Sequence, residues 1–153
     1  MRAWLACSGA ELLKRDPVDT VGRLASAQQK RNFAGTPQQE AAWQAQIVAL
    51  RTAVNEQQGL SWTIALEYEL LRLEKRIDAV ILTDRAIICL EFKTAAPSPA
   101  ALMEAEDYAL DLRDFHAGSQ HHAIVPVLVA GIGGFTPPAQ PWLLSTCPTN
   151  PLE

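Results

Sequence analysis

The stretch from residue 76 to residue 93, RIDAVILTDRAIICLEFK, constrains the fold more than any other part of the chain. Two apolar runs flank the polar pair Asp84-Arg85, a pattern that predicts two strands joined by a tight turn. Strands that are apolar on both faces are normally buried on both sides. Asp78 nevertheless interrupts the first run, and Glu91 and Lys93 end the second. Because burying a carboxylate is costly unless it is paired or bound to a metal, we expect function at these charges.

The register of this hairpin decides whether the charges meet. With Asp84-Arg85 as a two-residue loop, Asp78 lies directly opposite Glu91, and Arg76 lies opposite Lys93. Directly opposed residues share a face of the sheet. The period of two also places Glu91 and Lys93 on one face in any register. Asp-Arg is not a favoured two-residue turn, so a slipped or bulged register stays open.

A divalent cation would reconcile two buried carboxylates that otherwise repel each other and drive one of them to protonate. Mg²⁺ takes oxygen ligands and needs only one or two carboxylates, with water and substrate phosphate completing its shell. We expect Asp78 and Glu91 to bind Mg²⁺ or Mn²⁺, with the Phe92 backbone carbonyl as a further ligand. Lys93 would orient or activate a water, or stabilise charge on a phosphate. The alternative is an ordinary ion pair at a strand end, between Glu91 and Lys93 or Arg76.

These three side chains resemble the catalytic pattern of the PD-(D/E)xK nuclease superfamily, which is an Asp on one strand followed by (Asp/Glu)-x-Lys on the next. Asp78, Glu91 and Lys93 match its positions. The resemblance implies a restriction-endonuclease-like fold. It also implies a hydrolase that cleaves the phosphodiester bonds of DNA or RNA with a metal ion.

The resemblance implies support from two helices. A Glu from the preceding helix is expected, and Glu40 is the candidate, because it lies three residues before Trp43 on the predicted buried side. The following helix is expected to carry Gln-x-x-x-Tyr. Tyr108 matches the tyrosine, whereas Glu104 replaces the glutamine. An amide can donate a hydrogen bond to a phosphate and a carboxylate cannot, so the role of position 104 differs from the family pattern.

Further short segments narrow the resemblance. They are Ala41-Ala42-Trp43, Leu66-Glu67-Tyr68, Arg76-Ile77-Asp78, Leu90-Glu91-Phe92-Lys93, and Tyr108-Ala109-Leu110-Asp111-Leu112 running to Phe115-His116 and Ser119. Between about residues 36 and 130 they are similar to a nuclease-related N-terminal domain found ahead of Schlafen-like or superfamily 1 helicase modules in bacterial proteins. The resemblance implies nucleic acid and a C-terminal helicase-like domain as partners, with homodimer formation left open. No phosphate-binding Gly-x-x-x-x-Gly-Lys-Ser/Thr occurs, so no ATPase is expected in this chain.

The remaining patterns place helices around these strands. Helices are predicted over residues 9–14, 18–29, 37–58 and 99–118, and strands over residues 61–71, 77–82, 86–93 and 123–130. In the first strand Trp62, Ile64, Leu66 and Tyr68 alternate, which places Glu67 on the opposite side as a structural residue or a further ligand. The order predicts an α/β fold in which a mixed sheet, a three-strand meander plus a central further strand, has helices on both faces. We expect a domain over residues 1–132, with its core at 36–130, and a Pro/Gly-rich linker over 133–153 that leads to another domain.

Composition limits the partners. The net charge of −4 gives no overall basic surface for nucleic acid, so phosphates would need a metal or a local patch. Candidates for such a patch are Arg72, Lys75, Arg76, Arg85, Lys93 and Arg113.

The cysteines and the apolar runs indicate where the protein is located. Three cysteines without a CxxC pair indicate a reducing compartment and no zinc site. No apolar run is long enough for a membrane span, so a cytoplasmic protein is expected. His116 and Ser119 are expected to cap a helix end rather than bind metal. Two other functions remain open: an inactive nuclease-fold module that binds nucleic acid or a protein, and a structural or oligomerising domain.

Overall fold

Five strands and four α-helices make up residues 2–131, the part of the chain that the computed structural model describes. The strands are β1 (Ala3–Ser8), β2 (Thr63–Leu70), β3 (Lys75–Leu82), β4 (Ile87–Lys93) and β5 (Ile124–Ala130). The helices are α1 (Gly9–Lys14), α2 (Pro17–Lys30), α3 (Pro37–Glu56) and α4 (Pro99–Phe115), and a 3-10 turn follows at Ala117–Ser119. The linker predicted at 133–153 lies outside the described residues. Between residues 2 and 131, no helix combines the length and apolarity needed to cross a membrane.

The strands form one mixed sheet in the order β1-β2-β3-β4-β5. All neighbours are antiparallel except β4 and β5, which are parallel. The α/β class and the mixed sheet are therefore confirmed. The central position predicted for β5 is wrong, because β5 lies at one edge of the described sheet and β3 lies at its centre. An apolar run does not separate a central strand from an edge strand that a helix covers, and α4 packs against β5.

The N-terminal strand β1 was not predicted. It pairs antiparallel with β2, from Ala3 opposite Tyr68 to Ser8 opposite Thr63, and it buries Trp4 and Cys7. Only six residues long, β1 runs directly into α1 without a turn. The predicted capping box that starts α1 is present: the Ser8 hydroxyl accepts from the Glu11 N–H (3.1 Å), and the Glu11 carboxylate accepts from the Ser8 N–H (2.7 Å).

Two apolar cores hold the helices against the two faces of the sheet. The first core packs α1, α2 and α3 against one face through residues such as Leu12, Leu24, Trp43 and Ile47. The second packs α4 against the other face and contains Leu70, Ile77, Val80, Ile87, Cys89, Ala109, Leu112 and Ile124. Full burial of one such large apolar side chain contributes about 1.5–3 kcal/mol, so both faces of β3 and β4 stabilise the fold.

Candidate active site

The β3–β4 hairpin has the register that the sequence predicted. Thr83 pairs with Ala86 across the two-residue loop, with the Thr83 N–H donating to the Ala86 carbonyl (3.0 Å). The Thr83 hydroxyl also accepts from the backbone N–H groups of Arg85 (3.1 Å) and Ala86 (3.0 Å), which stabilises an otherwise unfavoured turn. Backbone pairing continues from the turn and stops after Ala79 opposite Leu90. The next row of the same register is Asp78 and Glu91.

Asp78 joins the two strands where the backbone ladder ends. Its Oδ2 accepts a hydrogen bond from the Phe92 N–H at 2.9 Å, so a side-chain carboxylate on β3 binds a backbone group of β4. Burial raises the pKa of Asp78 to about 7, and the neighbouring charge of Glu91 adds to this rise. The Phe92 N–H opposes the rise because it favours the ionised carboxylate. In the metal-free chain, burial therefore favours the protonated form of Asp78 more than in an exposed aspartate.

Glu91 and Lys93 share one face of β4, as their spacing predicted, and α4 covers that face. The Lys93 Nζ lies 2.9 Å from Glu91 Oε1 and 2.7 Å from Glu104 Oε2. Glu91 is only 6 % exposed, and burial raises the pKa of its carboxyl group. Its second oxygen, Oε2, is buried without a hydrogen-bond partner among residues 2–131. Such an orphaned carboxylate oxygen is costly and needs an explanation.

The lysine is held in its charged form. Burial alone lowers the pKa of Lys93, but the hydrogen bonds to Glu104 and Glu91 outweigh it and keep this pKa above its ordinary value. The hydrogen bond between Lys93 and Glu104 also lowers the pKa of the Glu104 carboxyl group. Lys93 is therefore a cation at neutral pH, suited to stabilising negative charge rather than to taking up a proton.

Tyr108 belongs to this cluster through Glu104. The two residues are one turn apart on α4, and the Tyr108 hydroxyl donates to Glu104 Oε1 at 3.3 Å. Burial raises the pKa of Tyr108 to about 12, with the Glu91 charge adding to the effect, so the hydroxyl keeps its proton. Glu104 thus contacts both Tyr108 and Lys93.

The prediction that Glu40 lies on the buried side of α3 is wrong. Glu40 is exposed in the first turn of the helix, and the apolar stripe becomes buried only at Trp43. Within the described residues, no ion pair or side-chain hydrogen bond joins Glu40 to the cluster. Helix α3 instead contributes Trp43, whose Nε1 donates to Glu67 Oε1 at 2.7 Å. Glu67 is 2 % exposed and also forms an ion pair with Arg76.

The cluster suits a hard divalent cation in the kind of ligand that it offers. Residues 2–131 contain no group of three or more His, Cys, Asp or Glu side chains placed to hold a metal ion. Mg²⁺ does not require three such side chains, because it keeps several waters and binds one or two carboxylates. Asp78 and Glu91 supply two carboxylates of this kind, and the orphaned Glu91 Oε2 is an oxygen that a cation would satisfy. The Phe92 carbonyl as a further ligand stays a prediction.

Acidic partners offset most of the basic patch. Lys75 pairs with Asp111 (3.0 Å) and Arg113 with Asp114 (2.9 Å), while Arg76 and Lys93 pair with the glutamates described above. At the end of α4, His116 is the C-cap residue, as expected, through its backbone N–H, which donates to the Leu112 carbonyl. Its side-chain Nδ1 lies 2.7 Å from Ser119 Oγ.

Comparisons with protein-family models, with curated proteins and with solved structures found no match for this chain. The fold and the cluster define a class of protein in chemical terms: a mixed α/β sheet with a buried Glu91, a half-buried Asp78 and a charged lysine at the end of its β3–β4 hairpin.

Proposed function

We propose that this chain is a metal-dependent nuclease domain of the PD-(D/E)xK type, which hydrolyses phosphodiester bonds of DNA or RNA. The observation that carries the proposal is the meeting of Asp78, Glu91 and Lys93 at the point where β3–β4 pairing stops. A fold stabilised only by packing would gain from apolar residues here, because buried ion pairs rarely add stability over apolar side chains of similar volume. A metal-dependent function would account for charges at this place in the sheet.

Each residue has a distinct role in this proposal. Asp78 and Glu91, with the Phe92 carbonyl, would hold Mg²⁺ or Mn²⁺, which when bound polarises a phosphate and lowers the pKa of a coordinated water. Lys93 stays protonated and stabilises the charge that develops on the phosphate. Glu104 orients the lysine, and Tyr108 orients Glu104.

The resemblance also supports a context for this activity. The chain would act as a cytoplasmic module next to a helicase-like domain, and nucleic acid delivered by that neighbour would reach the cluster. Such delivery would reduce the need for a strong basic surface of its own, in keeping with the net charge of −4.

The test is a cleavage assay with matched lysine variants. Single- and double-stranded DNA and RNA are incubated with the chain and Mg²⁺, Mn²⁺ or EDTA. Lys93→Ala is compared with Lys14→Ala, which removes an exposed lysine at the end of α1. We expect metal-dependent cleavage that Lys93→Ala lowers by about 100- to 1,000-fold and Lys14→Ala leaves unchanged, as for the loss of one group that stabilises transition-state charge. Cleavage that survives in Lys93→Ala would contradict the proposal.

A second candidate is a module that binds nucleic acid without cutting it. Two carboxylates hold Lys93, one of them the Glu104 that replaces the family glutamine, and this arrangement favours an ion-pair cluster over a free catalytic lysine. Binding of nucleic acid without cleavage, equal in the chain and in Lys93→Ala, would establish this alternative.

A further inference from the structure

We infer that Glu67 is a positioning residue: its carboxylate, fixed by Trp43 and Arg76, holds β2 and β3 in the irregular geometry that turns Asp78 toward β4. The consequence for catalysis rests on the proposed function, whereas the structural part does not.

The first observation is a change of face in β2. Before Glu67, Ile64 and Leu66 pack in the core beneath α1–α3. After Glu67, Leu70 packs in the core beneath α4, and Tyr68 packs against that same core. A regular strand with a period of two keeps its even-numbered residues on one face, so the alternation inverts at Glu67. The uninterrupted alternation predicted from Trp62 to Tyr68 is wrong for this reason.

The neighbouring strand changes face in the same row. Ala79 packs in the core beneath α1–α3, whereas Ile77, two residues earlier, packs in the core beneath α4. The register pairs Leu66 with Ala79 and Tyr68 with Ile77, which sets Glu67 opposite Asp78. Both strands therefore turn over together at the row formed by Glu67 and Asp78.

The backbone of Glu67 accounts for the inversion. Its φ is 52°, in the left-handed region that residues other than glycine rarely adopt. Such a conformation persists only where the surroundings determine it, and here the side chain is held on two sides. Trp43 donates to Oε1 at 2.7 Å, and Arg76 forms an ion pair while its guanidinium lies 4.3 Å from the centre of the Trp4 ring.

The result of the inversion is the position of Asp78. Backbone pairing between β3 and β4 has ended by this row, and the Asp78 carboxylate supplies the acceptor for the Phe92 N–H instead. Trp43 and Arg76 fix the Glu67 carboxylate, and Glu67 lies in the row opposite Asp78, which is the place from which it can position that residue.

A second glutamate provides a matched control. Glu74, in the turn between β2 and β3, has the same φ of 52° but is exposed. Glu67→Gln and Glu74→Gln thus make the same chemical change at the same backbone conformation, and only Glu67→Gln removes the buried charge that pairs with Arg76.

The experiment measures amide hydrogen exchange of Phe92 by NMR in the full chain, without metal. We expect Glu67→Gln to speed Phe92 exchange by about tenfold, as for the loss of one hydrogen bond, while Ile81 and Ile88 near the turn are unaffected. Glu74→Gln should leave Phe92 exchange unchanged. Mn²⁺ affinity should fall about 10- to 100-fold in Glu67→Gln, and kcat should fall with KM unchanged. If Glu67→Gln folds and its Phe92 amide exchanges at the same rate as in the parent, the inference is overturned.

A fallback variant and a metal-free readout separate the role of Glu67 from the proposed nuclease activity. If Glu67→Gln does not fold, Trp43→Phe keeps an aromatic side chain but removes the indole N–H that Glu67 accepts from, at the cost of a small cavity in the core. It should speed Phe92 exchange in the same direction, and no change there overturns the inference. If the parent chain neither binds Mn²⁺ nor cleaves nucleic acid, the proposed function fails, and Phe92 exchange still decides the role of Glu67.

Discussion

The two ends of the β3–β4 hairpin use the same strands for different purposes. Near the turn, Val80 lies opposite Cys89 and Ile81 opposite Ile88, and the backbone pairing is regular. At the far end the pairing has stopped, and Asp78, Glu91 and Lys93 replace the apolar side chains. The turn end contributes stability through burial on both faces, whereas the other end has one buried and two half-buried charged groups, and ion pairs of this kind add little stability over apolar side chains.

Burial has opposite effects at the two ends of the β3–β4 hairpin. An apolar side chain near the turn gains free energy from being buried, while burial raises the pKa values of Asp78 and Glu91 and so opposes their ionised forms. Substitutions near the turn should therefore change stability without changing chemistry, whereas substitutions at the charged end should change chemistry.

The largest effect is expected from removing a proposed metal ligand. Asp78→Asn or Glu91→Gln should lower metal-dependent cleavage by at least about 1,000-fold, because metal assistance supplies several kcal/mol of transition-state stabilisation. Initial rates at saturating Mg²⁺ measure the loss, and circular dichroism spectra confirm the fold. Activity within tenfold of the parent in either variant would contradict the claim that the charged end of the hairpin binds the catalytic metal.

A large effect on stability alone is expected near the turn. Ile81 is 3 % exposed, and Ile81→Ala should lower the free energy of unfolding by about 2–5 kcal/mol through lost burial and the cavity left behind. Urea denaturation measures this change. The kcat of the folded fraction should match the parent, and a parallel loss of kcat would show that the two ends are not independent.

A pH-dependent effect should separate the ends further. The pKa of Asp78 is raised from 3.8 to about 7 in the folded chain, so the folded state binds more protons than the unfolded state between those values. Without metal, stability should therefore be fully present below about pH 4 and should decrease as the pH rises toward 7. Urea midpoints of the parent relative to Asp78→Asn measure this contribution, and a relative midpoint that rises with pH would have the wrong sign.

The smallest effect is expected at the turn itself. The Thr83 hydroxyl accepts from the N–H groups of Arg85 and Ala86, so Thr83→Ala should cost about 0.5–1.5 kcal/mol. Thermal melting monitored by circular dichroism suits a change of this size. Cleavage rates should be unaffected, and a register slip, visible as changed NMR contacts between β3 and β4, would contradict the assigned role of Thr83.

Local patterns predicted much of this structure. Three helices begin after the capping residues Ser8, Thr36 and Ser98, whose side chains bond backbone groups only three residues further along. The hairpin register likewise follows from a two-residue loop. The pairing of Glu91 with Lys93 needs only the period of a strand.

Long-range features were not predictable in the same way. Strand β1 is short and pairs with residues some sixty positions away. The left-handed conformation of Glu67 has no local signal, because its partners Trp43 and Arg76 come from another helix and another strand. The spacing of Glu40 from Trp43 could not show that the first turn of α3 is exposed, because burial there depends on which other elements reach that turn.

The most direct test of the account is the position of a bound metal. Crystals grown with Mn²⁺ and examined by anomalous diffraction should show one ion bound by carboxylate oxygens of Asp78 and Glu91, with ligand distances near ~2.1 Å, close to those of Mg²⁺. Crystals of Lys14→Ala should give the same peak, and crystals of Asp78→Asn should lose it. Saturating Mn²⁺ without a peak at Asp78 and Glu91, with Lys93 still between Glu91 and Glu104, would contradict the claim that these carboxylates form a metal site.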